Sequence, residues 1–261
     1  MVIVYCFIDG VATQMIMQST RLKTLCLFLC LLLSPIRYTH AHSTGRPDAA
    51  PLLVKKCNDF ELTGQGIDPA WNAATWNPLT MLDSSENAYE TKFKILYSSS
   101  GLYVLFQGAD KKITTKLYKD FDSIFNGDVF EVFFHPDPGT GVYYEYEVNH
   151  LGKELILTIS TVGENGYQSW VPRRSNVKKI VNIVGGEKEI DSSIRSWTAE
   201  IFFPYSALGL LPRVPPASGS IWNANFCRLD YDSGKMIKWS WSAAIKTSFH
   251  ELDAFKTIKF E

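Results

Sequence analysis

Glu131, Glu145, Glu147 and Asn149 are spaced so that three carboxylates and an amide share one surface. They lie in two runs, Asp128-Val-Phe-Glu-Val-Phe-Phe134 and Tyr143-Tyr-Glu-Tyr-Glu-Val-Asn149, that alternate apolar and polar side chains around His135-Pro-Asp-Pro-Gly-Thr-Gly141. That pattern predicts an antiparallel hairpin. Successive strand residues point to opposite faces, so if Phe130, Val132, Phe134, Tyr144, Tyr146 and Val148 share a core, the four polar residues share the other face. Two chemistries follow. Glu131 with Glu145 or Glu147 would supply the acid and base of a glycosidase, which needs carboxyl groups about 5–10 Å apart across the scissile bond. The same groups, interleaved with aromatic rings, would hold a sugar without cleaving it, because a pyranose offers CH faces to rings and hydroxyls to carboxylates and amides. Binding is favoured over hydrolysis, since strand-centre carboxylates on an open sheet are commonly solvated and unperturbed.

Other chemistries have weaker support. Asp68, Asp83, Asp110, Asp122, Asp128 and Asp137 stand at expected turns or strand ends, where calcium gathers oxygen ligands, but no EF-hand spacing occurs and each also reads as a turn residue or cap. There is no G-x-S-x-G, and Ser240 between Trp239 and Trp241 has only the distant His250 as a base. His40, His42, His135, His150 and His250 lack the spacing of metal ligands, and no C-x-x-C is present. Seven tryptophans are many for this length, and most, Trp197 and Trp222 among them, are expected in the core.

The N-terminal residues stand apart from the rest. Arg21 and Lys23 precede the apolar run Leu25-Cys-Leu-Phe-Leu-Cys-Leu-Leu-Leu33, followed by Pro35 and Thr39-His-Ala41, the order of a secretory signal cleaved after Ala41. The run is too short to span a bilayer. Met17 lies just ahead of it, so residues 1–16 read as an upstream extension; an anchor lengthened by residues 2–8 is the weaker alternative. Removing residues 1–41 takes away three of 26 basic residues (Arg21, Lys23, Arg37) and one of 27 acidic ones (Asp9), leaving 23 against 26. Such a near-neutral chain has no basic stripe for nucleic acid. Only Cys57 and Cys227 remain, and they read equally as one disulfide or as two packed thiols.

Residues 42–56 read as a polar leader, and residues 57–261 as one domain. Short aromatic or β-branched runs predict strands over 93–97, 102–106, 155–162, 167–171, 177–184, 197–203, 222–231, 238–244 and 255–260, besides the hairpin above. Ser98-Ser-Ser-Gly101 joins the first two, residues 113–126 form an irregular connection, and Pro204-Tyr-Ser-Ala-Leu-Gly209 reads as one helical turn closed by glycine. This succession predicts an all-β fold with little helix, a single antiparallel β-sandwich of jelly-roll type.

Together, Gly66-Ile-Asp-Pro-Ala-Trp71, Lys94-Ile-Leu-Tyr97, Gly101-Leu-Tyr-Val-Leu-Phe106, Asp110, the two hairpin runs, Trp197-Thr-Ala-Glu-Ile-Phe-Phe-Pro204, Trp222-Asn-Ala-Asn-Phe-Cys-Arg228, Trp239-Ser-Trp241 and Phe249-His250 resemble family 9 carbohydrate-binding modules. The resemblance implies a sandwich of the DOMON group, an immunoglobulin-like arrangement, holding a sugar between two aromatic rings with structural calcium nearby, Asp110 and Asp128 being the candidate ligands. By motif position the clamp corresponds to Phe125 and Phe249, both usually tryptophan, and the acidic sugar ligand to Glu131. Glu147 stands where an arginine is expected, and Lys256 where a glycine is expected. The family's modules serve polysaccharide-degrading proteins, which are the expected partners, with xylan or cellulose as ligand. Related DOMON domains bind haem, for which His135, His150, His250, Met81 and Met236 would be the available axial ligands.

The resulting expectation is a secreted, periplasmic or surface-displayed module that binds plant-type oligosaccharides through Phe125, Glu131, Glu147, Asn149 and Phe249, with Lys246 and His250 on the rim. Arg228 is expected to pair with a carboxylate as a structural ion pair. A glycosidase, a haem-binding redox module and a scaffold whose sugar site has decayed are the alternatives.

Overall fold

Short strands with period-two alternation, joined by turns and loops, organise the chain, of which the computed structural model describes residues 3–8, 11–16, 50–83, 89–116, 118–162 and 166–261. Two units, 1–47 and 48–261, are distinguished. In the first, β1 (Ile3–Ile8) and β2 (Val11–Ile16) pair antiparallel. The apolar run at 25–33 and the expected cleavage after Ala41 lie outside the described residues. No helix among the described residues is long and apolar enough to cross a membrane.

The second unit holds β3 (Leu52–Lys56), β4 (Asn77–Pro78), β5 (Thr80–Met81), β6 (Thr91–Tyr97), β7 (Gly101–Ala109), β8 (Val129–His135), β9 (Val142–Asn149), β10 (Glu154–Val162), β11 (Gly166–Trp170), β12 (Lys178–Val184), β13 (Ser196–Pro204), β14 (Ile221–Asp230), β15 (Ile237–Ser240) and β16 (Lys256–Phe260). They form one curled sheet in the order β11-β10-β9-β8-β14-β16-β3-β6-β7-β13-β12, with β15 attached beside β14, β5 beside β15 and β4 beside β6. The curl folds the sheet onto itself as two layers. In the core, Phe130 of β8 lies stacked on Trp197 of β13, with ring centroids 3.7 Å apart, and on Phe106 of β7 at 4.7 Å. Phe93 of β6 stacks on Phe226 of β14 at 3.7 Å. Removing a ring such as Phe130 would leave a cavity between the layers and cost about 3–5 kcal/mol.

The hairpin has the expected register. Phe130, Val132, Phe134, Tyr144, Tyr146 and Val148 are buried in the interlayer core, and Glu131 lies directly across from Glu147 on the other face. The Ser98–Gly101 turn closes with Ser98 N–H donating to the Gly101 carbonyl at 2.9 Å. Gly101 must be glycine because a Cβ there would come within 2.3 Å of the Phe203 carbonyl oxygen. The expected turn after Pro204 is a 3-10 segment, Tyr205–Leu208.

Two expectations need correction. Residues 52–56, assigned to the leader, form β3, which joins the layers through parallel pairs with β16 and β6. The sandwich is therefore antiparallel everywhere except at this strand. Leu-Leu-Val-Lys-Lys is too short for alternation to show, and a parallel pair has no turn signal to announce it. The strand expected over 238–244 also stops at Ser240. The two remaining cysteines are separate thiols: Cys57 donates to the Tyr97 carbonyl at 3.4 Å, while Cys227 is buried beside Ser240.

Candidate functional site

The outer face of β8, β9, β10 and β14 forms the floor of a cleft of about 390 Å³. Phe125, Leu157, Ile159, Leu229, Met236 and Phe249 supply its apolar surface, while Glu131, Glu145, Glu147, Ser169, Lys238, Thr247, Ser248 and His250 supply its polar groups. One wall is the 3-10 turn Ile124–Asn126. Tyr231 ties it down by donating its hydroxyl to the Phe125 carbonyl at 2.8 Å, and Phe125 remains 38% exposed above the cleft. The other wall is the loop 246–250. It is organised by Glu251, whose carboxylate accepts the N–H groups of Lys246, Thr247 and Ser248 at 3.1, 2.7 and 3.0 Å. These bonds hold the Glu251 carboxyl down at about 2. Lys238 bridges to this loop by donating to the Thr247 carbonyl at 3.3 Å.

Three buried carboxyl groups line the floor. Glu131 and Glu147 are cross-strand partners, Glu145 lies two residues away on β9, and Cys227 of β14 sits on the far side of Glu131. Burial pushes Glu131 well above the usual carboxylate range, with Glu145 adding to the effect. Burial also pushes Glu147 well up, helped by the charges of Glu131 and Glu145. Glu145 is raised by burial to about 7, and it accepts a hydrogen bond from the Glu147 carboxyl that tempers the shift. A hydrogen bond from the Phe125 backbone draws the Glu147 carboxyl partly back down, while Glu145 Oε2 and Glu147 Oε2 make no hydrogen bond to any described residue. His250 Nδ1 lies 2.9 Å from the Tyr143 hydroxyl and 4.0 Å from Glu145 Oε2. Burial lowers its pKa, which keeps the ring neutral at pH 7. The floor is thus acidic and buried, with no buried cation opposite it among the described residues.

The cleft brings together Phe125, Glu131, Glu147, Phe249 and His250 of the residues expected from sequence. Asn149 is elsewhere: it closes the turn after β9, with Oδ1 accepting from Leu151 N–H at 3.0 Å and Lys153 N–H at 2.9 Å. A turn-capping role displaces the expected sugar contact because Asn149 is the last residue of its strand. Lys246 is exposed and lies outside the lining. Phe249 is no rim ring but 7% exposed, packed edge-on against Phe133 at 6.4 Å. Sequence reasoning passed over Glu251, although Ser248-Phe-His-Glu251 has the serine-to-glutamate spacing that marks such backbone-bonding carboxylates. Lys238, Met236 and Ser169 were also missed, because cross-strand proximity between distant segments leaves no local signal.

Asp110 and Asp128, the candidate calcium ligands, lie in a separate buried cluster. Arg228 Nη2 donates to Asp110 Oδ2 at 3.0 Å and to Asp230 Oδ2 at 2.6 Å, and Nη1 to the Ala109 carbonyl at 2.6 Å. His150 Nε2 lies 2.9 Å from the same Asp110 oxygen. Both Asp128 oxygens accept backbone N–H groups, from Thr114 and Tyr231 at 3.0 and 2.6 Å. Burial would raise Asp110, but His150 and Arg228 together hold it low. Asp128 is pushed well up by burial and by Asp230 and Asp110, and Asp230 is raised to about 6. Asp110, Asp128 and His150 each bring one atom within 4.8 Å of the others. The imidazole makes this set a poor one for calcium, which takes oxygen donors; Asp110, Asp230 and Asp232 also bring one carboxylate oxygen each to within 4.8 Å of one another, with the Arg228 guanidinium bonded to the first two. The expected ion-pair role of Arg228 is what the geometry displays.

The structure is similar to a Bacteroides uniformis protein proposed to bind carbohydrate, with a TM-score of 0.65, 21% identity, and coverage of 81% of this chain and 99% of that one. It is also similar to a family 9 carbohydrate-binding module from Caldicellulosiruptor kristjanssonii in complex with cellotriose, with a TM-score of 0.51, 15% identity, and coverage of 81% and 93%. The glucose complex from the same organism gives a TM-score of 0.51, 16% identity, and coverage of 80% and 95%. At these identities the likeness establishes the fold, a β-sandwich. Among curated proteins no sequence relative matches. The family model described as carbohydrate-binding family 9 matches residues 70–260, from the turn that buries Trp71 through β16. With that match spanning both layers and every wall of the cleft, the chain belongs to carbohydrate-binding family 9.

Proposed function

We propose that the cleft between Phe125 and the 246–250 loop binds carbohydrate without transforming it. The observation that carries this reading is the cleft itself: in a member of this family, an exposed ring and an apolar wall stand over buried oxygen acceptors, the arrangement a pyranose needs. Glu131, Glu145, Glu147, Ser169 and His250 would meet hydroxyls, and Phe125 would stack on a sugar face. The relatives solved with cellotriose and glucose support a gluco-configured ligand as the first probe. A plant-type polysaccharide fragment, xylan or cellulose in origin, is the finer proposal. The charge order before residue 41 supports secretion, and a role beside polysaccharide-degrading proteins would follow.

Hydrolysis is not favoured. The three carboxyl groups lie side by side on one floor, and two share a hydrogen bond, whereas a glycosidase sets its pair on either side of the bond to be cut.

The test is calorimetric titration of the full chain with xylo-, cello-, manno- and pectic oligosaccharides, with product analysis of the same mixtures. Saturable binding with intact sugar is expected, weakened in Phe125→Ala. Released product would overturn the non-catalytic reading, and binding unchanged in Phe125→Ala would move the site elsewhere.

A further inference from the structure

The acidity of the cleft floor exceeds what a neutral sugar requires. A ring with hydroxyls needs acceptors and donors in balance, yet the floor presents Glu131, Glu145 and Glu147, with the His250 imidazole, kept neutral by burial, 4.0 Å from Glu145 Oε2. Glu145 Oε2 and Glu147 Oε2, on almost wholly buried side chains of the cleft lining, make no hydrogen bond to any described residue. Among the described residues the basic side chains in the lining are Lys238, engaged with the Thr247 carbonyl, and His250, held against Tyr143. Buried carboxyl groups without partners are costly, and a ligand cation would favour their ionised form.

A metal ion is a poor candidate for that partner. Asp110, Asp128 and His150 bring one ligand atom each to within 4.8 Å, but the three glutamates form no such group. Their carboxyls are spread along the floor instead of converging on a point. The walls also argue for an organic ligand, since Phe125, Leu157, Ile159 and Leu229 offer apolar surface that a hydrated ion would not use. A rigid ring that carries an ammonium group on its edge satisfies both surfaces at once.

From this geometry we infer that the cleft recognises a cationic sugar, one bearing a free amino group, whose ammonium seats between Glu147 and its neighbours while the ring stacks on Phe125. The inference rests on the carbohydrate-binding reading and names the class of sugar. The ammonium donates charge-assisted hydrogen bonds to the carboxylates, which are stronger than those a hydroxyl can donate. Seating it shifts the floor toward its ionised form, so protons pass from Glu145 and its partners to the buffer as the ligand binds. The groups facing the floor are Cys227 and Tyr231 from β14 and the residue after it, Tyr143 from β9, His250 from the loop and Lys238 from β15. Tyr231 and Cys227 are raised by burial, and His250 is lowered, so none of these three gains charge at neutral pH. The carboxyl groups therefore carry the proton exchange.

The experiment titrates the full chain calorimetrically with glucosamine oligomers, cello-oligomers of equal length, the N-acetylated oligomers and a linear diamine, in two buffers of different ionisation heat. The amino sugar is expected to bind about tenfold more tightly than its neutral counterpart, with proton release seen as buffer-dependent heat. The preference should vanish on N-acetylation and fall to near unity in Glu147→Gln, with Glu131→Gln as the second variant should the first fail to fold. Equal or tighter binding of the cello-oligomer would overturn the inference while leaving carbohydrate binding intact. So would a preference that persists in both variants, or a diamine that binds as well as the amino sugar. Binding of no sugar at all would overturn the carbohydrate reading together with it.

Discussion

Replacing Glu145 by glutamine should make the protein more stable, and more so as the pH rises. Burial raises the Glu145 carboxyl from 4.5 to about 7. Below pH 4.5 the group is protonated in both the folded and unfolded chains and has no pH-dependent effect. Between pH 4.5 and 7 the folded chain keeps the proton while the unfolded chain loses it, so the folded state binds more protons and stability falls as pH rises. Above pH 7 the penalty is complete, at about 3 kcal/mol from the width of the window. Glutamine matches the volume of the side chain and can accept from the Glu147 carboxyl through Oε1, so Glu145→Gln removes the penalty without opening a cavity.

The assay is urea unfolding of wild type and variant at intervals from pH 4.5 to 7.5, followed by tryptophan fluorescence. Glu131, Glu147, Asp128 and Asp230 are also raised and will make the stability of both proteins fall with pH. Much of that common slope cancels in the difference. The variant is expected to match wild type near pH 4.5 and to exceed it by about 3 kcal/mol at pH 7.5, or roughly 6–12 °C in Tm for a domain of this size. Removing Glu145 also relieves its repulsion of Glu131 and Glu147, which changes the difference in the same direction. Parallel pH profiles would refute the reasoning, because they would mean that Glu145 ionises at an ordinary pH in a hydrated cleft.

Phe125→Ala should weaken sugar binding by about tenfold with little change in Tm, since the ring is half-exposed and its loss removes stacking area. Phe249→Ala should instead cost about 3 kcal/mol of stability, read by the same urea assay, because the side chain is buried against Phe133. A chelator should leave Tm unchanged, as Arg228 already supplies positive charge to Asp110 and Asp230; a fall in Tm would show a bound ion. Arg228→Met should lower stability by about 3–5 kcal/mol by leaving those carboxylates buried and unpaired.

The parts of this molecule legible in the sequence are those governed by near neighbours. Alternation around the Pro/Gly turn set the hairpin register and so placed Glu131 opposite Glu147, because one buried face leaves no freedom to slip. What alternation cannot carry is distance in the third dimension. β3 was illegible because five residues in parallel pairing announce themselves by neither period nor turn. The burial of the floor was equally hidden: an outward-facing glutamate is solvated on an open sheet, and the walls that exclude water here come from residues 124–126 and 246–250, far apart in the chain. Those walls change the chemistry of the same three side chains. On a bare sheet they would be ordinary anions that hydroxyls and water could share, whereas beneath Phe125 and Phe249 burial shifts all three toward their protonated form. Substitution of Glu147 for the arginine expected at that position has the same consequence, because a pair that would neutralise itself becomes a surplus of negative charge. Specificity in this cleft therefore follows from what the fold withholds from the carboxyl groups, namely water and a counter-ion, and the ligand that supplies a cation restores what the fold removed.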